Sequence, residues 1–422
     1  LTMRIFHTAD WHLGQTLHGI SREYEHRCFL DWLLDTLEER QADALLIAGD
    51  VFDSANPPAV AQALFYRFIS EARRRCPLLD MVIVGGNHDS PARLEAPQPL
   101  LSHLGVHVVG ALPRQSDGCY DLKRLLVPLH NRRRDIAAWC AAVPFLRLVD
   151  LPLMDSDTTD PLVEGVSQVY RHIFAALRER LTPDQALLAT GHCYMVGTQL
   201  SELSERKILG GNQHALPVGI FPEDLSYAAL GHLHLAQAVG KQDPIRYSGS
   251  PIPLSLAEES YPHQIVQVDF AAGRCQTITP LPVPRSVEII RLPSQPPLPL
   301  AEVEKRLNAL DLEPLPPERR PFLEVTVLLD QPEPGLRHRI DQCLAGKPVR
   351  LLKIASHYAG TDLSLADSIP EIHLQELTPD EVFMRRYRQH HTGEPSSELL
   401  NAFHELLESV QGAQPENRDL LF

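Results

Sequence analysis

Five short apolar runs of this chain each end in a small residue or a glycine and pass at once into side chains that bind metals. The first, Arg4-Ile5-Phe6-His7-Thr8-Ala9, leads into Asp10 and His12. The second, Ala44-Leu45-Leu46-Ile47-Ala48, leads into "GDVFD", with Asp50 and Asp53. The third, Met81-Val82-Ile83-Val84, leads into "GGNHD", with Asn87, His88 and Asp89. The fourth, Ala186-Leu187-Leu188-Ala189-Thr190, leads into Gly191 and His192. The fifth, Tyr227-Ala228-Ala229-Leu230, leads into "GHLH", with His232 and His234. Helical periods lie between the runs, as in Phe29, Leu30, Leu33, Leu34 and Leu37. Alternating strands and helices predict an α/β fold, and ligands of such folds collect at the carboxyl ends of the strands.

Taken singly, D-x-H is common and "GD" and "GH" after a strand read as turns, while "GNHD" is the stronger signal. Together, and in this order, they predict one site. Residues i and i+2 of a strand project to one side, so Asp10 and His12 can face one ion, and so can His232 and His234. The glycines before the donors let the backbone pass close by without a Cβ clash. Asp10, His12, Asp50, Asn87, His192, His232 and His234 are too many ligands for one ion. They suit two ions about 3.5–4 Å apart that share a carboxylate, the arrangement used in phosphoester hydrolysis. Carboxylate, amide oxygen and imidazole without thiolate favour Mn²⁺ first, then Fe²⁺ or Zn²⁺, and Mg²⁺ least. His7, inside its strand, reads as a core histidine; His26, His103 and His107 read as structural or surface residues.

The chain has 422 residues, 44% of them hydrophobic and 22% charged, which suits a soluble globular protein with two or three domains. No apolar run is long enough to span a bilayer and no signal segment opens the sequence, so a cytoplasmic protein without membrane contact is the expectation. Seven cysteines with no C-x-x-C pair argue against a zinc knuckle or a disulfide framework. The net charge of −15 weighs against non-specific DNA binding unless metal ions or a partner supply positive potential.

Three segments follow. Residues 3–282 carry the α/β signature, with 113–160 read as loop and insertion, including "NRRRD" at 131–135 and an acidic cluster from Asp155 to Asp160. "NRRRD" reads as a solvated basic turn, with phosphate contact as the alternative. Prolines cluster at 279–299 as a linker, and residues 283–375 read as a small α+β domain. Residues 376–422 predict a helix pair. Thr378, Pro379 and Glu381 make an N-cap, first-turn proline and capping box, and Leu399, Leu400, Phe403, Leu406, Leu407 and Val410 form one apolar stripe.

The set D-x-H, G-D-x-x-D, G-N-H-D, G-H and G-H-x-H resembles the calcineurin-like metallophosphoesterase superfamily. "HTADWHLGQ", "SREYEH", "FLDWLL", "AGDVFD", "GNHDS", "VPFLR", "ALGHLH", "YSGSPIPLS" and "TPDEVFMRR" bring it close to one family within it, the nuclease subunits of bacterial SbcCD-type complexes. The resemblance implies a β-sandwich flanked by helices. It implies one ion on Asp10, His12, Asp50 and His234, another on Asp50, Asn87, His192 and His232, and Asp50 as the bridge. A water between the ions would attack phosphorus in line. His88 would stabilise the transition state or protonate the leaving 3′ oxygen, oriented by Asp53 or by Asp89. It further implies a capping domain at 283–375, a two-fold homodimer through the nuclease domain, and docking of 376–422 on the coiled coil of an SMC-like ATPase, SbcC.

The leading expectation is therefore a Mn²⁺-dependent, ATP-gated DNA nuclease, acting as exonuclease on duplex ends and endonuclease on hairpins or single strands. A stand-alone metallophosphoesterase for a small phosphodiester or nucleotide is the alternative, which leaves the additional segments without a role. A non-catalytic scaffold fits poorly with a complete donor set.

Overall fold

The computed structural model describes residues 1–152, 160–199, 215–240, 242–294 and 296–358, together with six single residues, Phe383, Met384, Tyr387, Pro395, Leu399 and Phe403. The chain divides into two compact units, Leu1–Arg206 with His214–Ala359, and Lys207–Gln213 with Gly360–Phe422.

Two six-stranded sheets make up most of the larger unit. The first has the order β14 (Arg274–Pro282), β13 (Gln264–Ala271), β1 (Thr2–Thr8), β4 (Ala44–Ala48), β5 (Asp80–Val84), β6 (Val106–Val109). From β1 to β6 it is parallel, with β13 antiparallel beside β1. The second has the order β11 (Gln237–Val239), β12 (Gln242–Tyr247), β10 (Tyr227–Gly231), β9 (Ala186–His192), β8 (Ile136–Ala141), β7 (Leu126–His130). Its four middle strands are parallel and its two edges antiparallel.

Both faces of β1, β4 and β5 are buried, so these strands read as continuous apolar runs rather than alternating ones. The period of two still sorts their side chains. Ile5, Leu46, Val82 and Val84 face the second sheet and pack with Cys140, Leu188, Ala228 and Leu230. Phe6, Leu45, Ile47, Met81 and Ile83 face outward. There they meet the apolar stripes of α1 (Glu23–Glu39) and α2 (Ala59–Arg75), through Phe29, Leu33, Leu37, Phe65, Phe68 and Ile69. His7 belongs to the inward set. It is fully buried, with Nδ1 2.9 Å from the Tyr227 hydroxyl and Nε2 3.1 Å from the Leu230 carbonyl.

α3 (Pro91–Glu95), α4 (Gln98–Leu101) and α5 (Leu122–Leu125) are short connectors. α6 (Pro161–Arg178) covers the second sheet. Its first turn is set by Asp160, whose carboxylate accepts the Val163 N–H at 3.2 Å, and by Pro161.

The segment read as loop and insertion needs correction: it supplies β7 and β8. Pro128 and a run of arginines hide a hairpin whose turn is "NRRRD". Asn131 Oδ1 accepts the Arg133 and Asp135 N–H groups at 2.9 and 3.0 Å, and Arg134 takes the left-handed conformation at φ 65°. The proline cluster is likewise partly strand. Pro280 and Pro282 sit in β14, an edge strand, where a missing N–H is tolerated. The Asp155–Asp160 cluster lies outside the described residues except for Asp160.

A separate parallel sheet follows, in which β15 (Ile289–Leu292), β16 (Leu298–Pro299) and β18 (Arg350–Tyr358) all pair with β17 (Phe322–Leu329). α7 (Leu300–Ala309) and α8 (Leu336–Leu344) close its own core around Val303, Leu307, Val325, Val327 and Ile340. This module meets the rest of the unit through a second cluster. Val287, Phe322 and Leu352 pack there with Leu256 and with Leu17 of the hairpin β2 (Thr16–Leu17) and β3 (Ile20–Ser21). The Phe322 ring has Arg22 and Arg350 over it, at 5.5 and 4.0 Å.

In the smaller unit the Phe383 ring stacks on Phe403 with centroids 4.3 Å apart, and on Tyr387 at 6.3 Å. Thr378, Pro379, Glu381, Leu400, Leu406, Leu407 and Val410 lie outside the described residues; Phe383, Met384, Tyr387, Leu399 and Phe403, within the predicted helix pair, are helical.

Candidate metal centre

The donors stand just beyond the strand tips. β1 ends at Thr8, and the chain turns sharply with Asp10 at φ 54° and His12 at φ 46°. Asp50 follows β4 at φ 49° and His232 follows β10 at φ 103°. Four of the seven predicted ligands thus hold a conformation that costs a residue with Cβ about 1–3 kcal/mol. Strand alternation, which suggested that Asp10 and His12 face one way, is not what aims them; paired left-handed turns are.

Backbone bonds hold this geometry. Asp10 N–H donates to the Gly49 carbonyl at 3.0 Å, His12 N–H to the Asp50 carbonyl at 3.0 Å and Leu13 N–H to the Val51 carbonyl at 2.9 Å. Trp11, between the two ligands, is fully buried. Its indole N–H donates to Thr8 Oγ1 at 2.9 Å, and its ring meets Phe29, Phe65 and Phe68 edge-on at 5.6, 6.5 and 5.3 Å. Gly49 lies at φ 94°, and a Cβ there would collide with His192 Nδ1; a Cβ at Gly86 would collide with Asp50 Oδ1.

The seven side chains converge around Asp50. Its Oδ2 is 3.5 Å from His12 Nε2 and 3.3 Å from His192 Nε2, and its Oδ1 accepts the His88 N–H at 2.8 Å. One side holds Asp10, His12 and His234, whose ligand atoms lie within 4.8 Å of one another. The His12 and His234 rings are 5.3 Å apart. On the other side Asn87 Oδ1 lies 2.9 Å from His192 Nε2 and 3.1 Å from His232 Nδ1. Asp10 joins the sides, because its carboxylate accepts the His232 N–H at 3.0 and 3.2 Å. His192 donates through Nδ1 to the Ala48 carbonyl at 2.9 Å, which leaves Nε2 as the ligand atom.

His88 also lies here. Its ring is 4.8 Å from that of His12, and Nδ1 donates to the Asp53 carbonyl at 2.8 Å. The sequence offered the Asp53 and Asp89 carboxylates for orienting this ring. The Asp53 carboxylate lies 3.2 Å from His12 Nδ1. Asp89 instead accepts three backbone N–H groups, from Gly86 at 2.9 Å, Val51 at 3.1 Å and Phe52 at 3.0 Å. It ties the second strand tip to the third.

Burial sets the electrostatics. It raises the Asp10 carboxyl against the pull of the nearby imidazoles. Burial would raise Asp50 as well, but the charge and hydrogen bond of His192, with His88 and His12, outweigh it and hold Asp50 well below the usual range. Burial opposes charge on His192, yet Asp50 and Asp10 lift it to about 9. His232 is pushed down to about 3 by burial and by His192. Asp89 rises to about 6 through burial and the charge of Asp50. Carboxylates packed this densely among histidines await cations. Protons can fill that role on His192, and divalent metals, which need the imidazoles neutral, fill it better. The buried His12 Nε2, aimed into the cluster without a hydrogen-bond partner, fits a metal ligand. So does the all oxygen-and-nitrogen donor set.

Sheets and site together define a calcineurin-like phosphoesterase, and the sequence-family model of that description matches residues 3–236. A second model, described as the Type 5 capsule protein repressor C-terminal domain, matches residues 285–391. The SbcD component of the SbcCD nuclease from Rhodobacter capsulatus is 40% identical over 90% of this chain and 93% of its own length. The Escherichia coli K12 protein of the same name is 33% identical over 91% and 92%. That of Bacillus subtilis is 34% identical over 64% and 67%. The chain belongs to the SbcD family of metal-dependent nucleases. Among the described residues no helix is long and apolar enough to cross a membrane.

The sequence had pointed to all seven of the side chains that gather here. It had not pointed to Trp11, which carries no metal chemistry, or to Glu258. Glu258 is fully buried, and its carboxylate lies 2.9 Å from His234 Nδ1.

Proposed function

We propose that this chain is a two-metal DNA phosphodiester hydrolase, the nuclease component of an SbcCD-type repair complex. The observation that carries this reading is the meeting of four imidazoles, one amide and Asp10 around Asp50, in a family whose named relatives are nucleases. Asp10, His12, Asp50 and His234 would hold one ion; Asp50, Asn87, His192 and His232 would hold the other. Mn²⁺ is the metal that this donor set suits best. A divalent pair, when bound, supplies positive charge to the phosphate and makes a water acidic enough to attack at neutral pH. His88, held through Nδ1 by the Asp53 carbonyl, presents its other face to the substrate and gives a proton to the leaving 3′ oxygen. Asp53 turns its carboxylate to His12 and fixes that ring.

In this reading the chain works in the cytoplasm on nucleoid DNA, as exonuclease on duplex ends and as endonuclease on hairpins or single strands. Residues 283–375 act as the capping domain and shape access to the cleft. Residues 376–422 dock on an SMC-like ATPase of the SbcC type, which gates cleavage, and two copies pair through residues 3–282. Cleavage of duplex, hairpin and small diester substrates in Mn²⁺, with and without the ATPase, tests it. Turnover of DNA is expected. Turnover of small diesters alone would instead favour a stand-alone phosphodiesterase.

A further inference from the structure

Glu258 ends a short turn, Leu256–Glu258, that no metal motif announces. One oxygen of its buried carboxylate lies 2.9 Å from His234 Nδ1 and 3.3 Å from Ser255 Oγ; the other accepts the Leu254 N–H at 2.9 Å. A carboxylate that accepts from His234 places the imidazole proton on Nδ1 and leaves Nε2 as the nitrogen that His234 offers beside Asp10 and His12. The segment that carries Glu258 is itself held on both sides. Within the nuclease core the His263 ring spans the Ser250 carbonyl at 2.9 Å and the Glu258 carbonyl at 3.0 Å, and Gln15 Nε2 donates to the Leu254 carbonyl at 2.7 Å. From the small module Arg291 donates to the Leu256 carbonyl, and the Leu256 side chain packs with Phe322 and Leu352.

We propose that Glu258 is a positioning residue that fixes the tautomer and ring of His234, and that the small module, by clamping the Glu258 turn, sets how tightly the ion on the His12–His234 side is held. The inference rests on the metal-centre reading above. It adds a route from the module to the metal that runs Arg291, Leu256, Glu258, His234. Carboxylate–histidine–metal chains of this kind orient the ring and raise its basicity, and losing the carboxylate weakens metal binding by about 10- to 100-fold.

Glu258→Gln separates positioning from packing. The Leu254 N–H keeps its claim on an oxygen, so the amide NH₂ turns to His234 Nδ1. The imidazole proton must then sit on Nε2, where an ion needs a lone pair. Calorimetric titration of the full chain with Mn²⁺ reads the result, beside thermal unfolding of the metal-free chain. For E258Q we expect one of two binding steps to weaken by about 10- to 100-fold while the other holds. For Arg291→Gln we expect the same step to weaken by a smaller factor. Affinities unchanged in both variants would overturn the proposal. So would loss of both steps together in E258Q, accompanied by a lower metal-free unfolding temperature, since that marks a purely structural carboxylate. Should E258Q fail to fold, R291Q decides alone: a weakened single step supports the route and an unchanged one refutes it. If the unaltered chain takes up fewer than two Mn²⁺, the metal-centre reading itself fails, and this inference with it.

Discussion

His88 and Asp50 are neighbours with different expected duties, and substitution separates them. His88→Ala removes the proton donor but none of the seven proposed ligands. Cleavage is expected to fall by about 10²–10⁴-fold with two Mn²⁺ still bound, measured by cleavage assay and metal titration on one sample. Loss of an ion in that variant would make His88 a ligand, which its closeness to His12 and Asp50 permits. His7 gives a residue-level test of the core. Burial holds it down to about 3, against about 6.5 in the unfolded chain. Between those values the unfolded state binds the proton and the folded state does not, so stability falls as pH falls through that window. His7→Gln is expected to flatten the acid limb of urea stability against pH by up to about 1.4 kcal/mol per pH unit. An unchanged slope would mean that His7 is already protonated in the folded protein. The donors were legible because each stands immediately after an apolar run. The left-handed turns at Asp10, His12 and Asp50 were not, because Asp and His, though enriched at positive φ, adopt it too rarely for the residue type to announce it.

Helices and strands fix these residues from behind. Trp11 ties the packing of α1 and α2 to Asp10 and His12 on either side of it, through edge-on contacts with Phe29, Phe65 and Phe68. Trp11→Ala is expected to cost about 3–5 kcal/mol of stability in urea unfolding and to lower Mn²⁺ affinity with it. Trp11→Phe should cost less in stability. A W11A chain of unaltered stability would mean that the ligand loop is held by its backbone bonds alone. The buried middle strands were readable as apolar runs of the right length. The edge hairpin β7–β8 was not, since Pro128 breaks the first strand's pattern and five consecutive polar residues, Asn131 to Asp135, fill the turn. Glu258 stayed hidden for a different reason. It lies 24 residues from His234, and only tertiary structure closes that distance.

The molecule as a whole is acidic, with a formal charge of −15, and its basic turn is at the wrong end to compensate. Arg132, Arg133 and Arg134 precede the first residue of β8, and Arg134 lies 3.4 Å from Asp80 at the start of β5. The donors occupy the opposite, carboxyl ends of the parallel strands. Replacing the three arginines by glutamine is therefore expected to leave DNA cleavage at its original rate. A large drop would place phosphate contacts where the fold does not lead us to expect them. In the proposed complex, positive potential at the site would come from the ions and from a partner, and local charge of that kind outweighs net charge. The most direct measurement is electron paramagnetic resonance of the full chain loaded with Mn²⁺. Two ions per chain with an exchange-coupled spectrum, lost in Asp50→Asn, are predicted for a carboxylate shared between them. A single ion, or two ions with independent spectra, would contradict a paired centre built on Asp50.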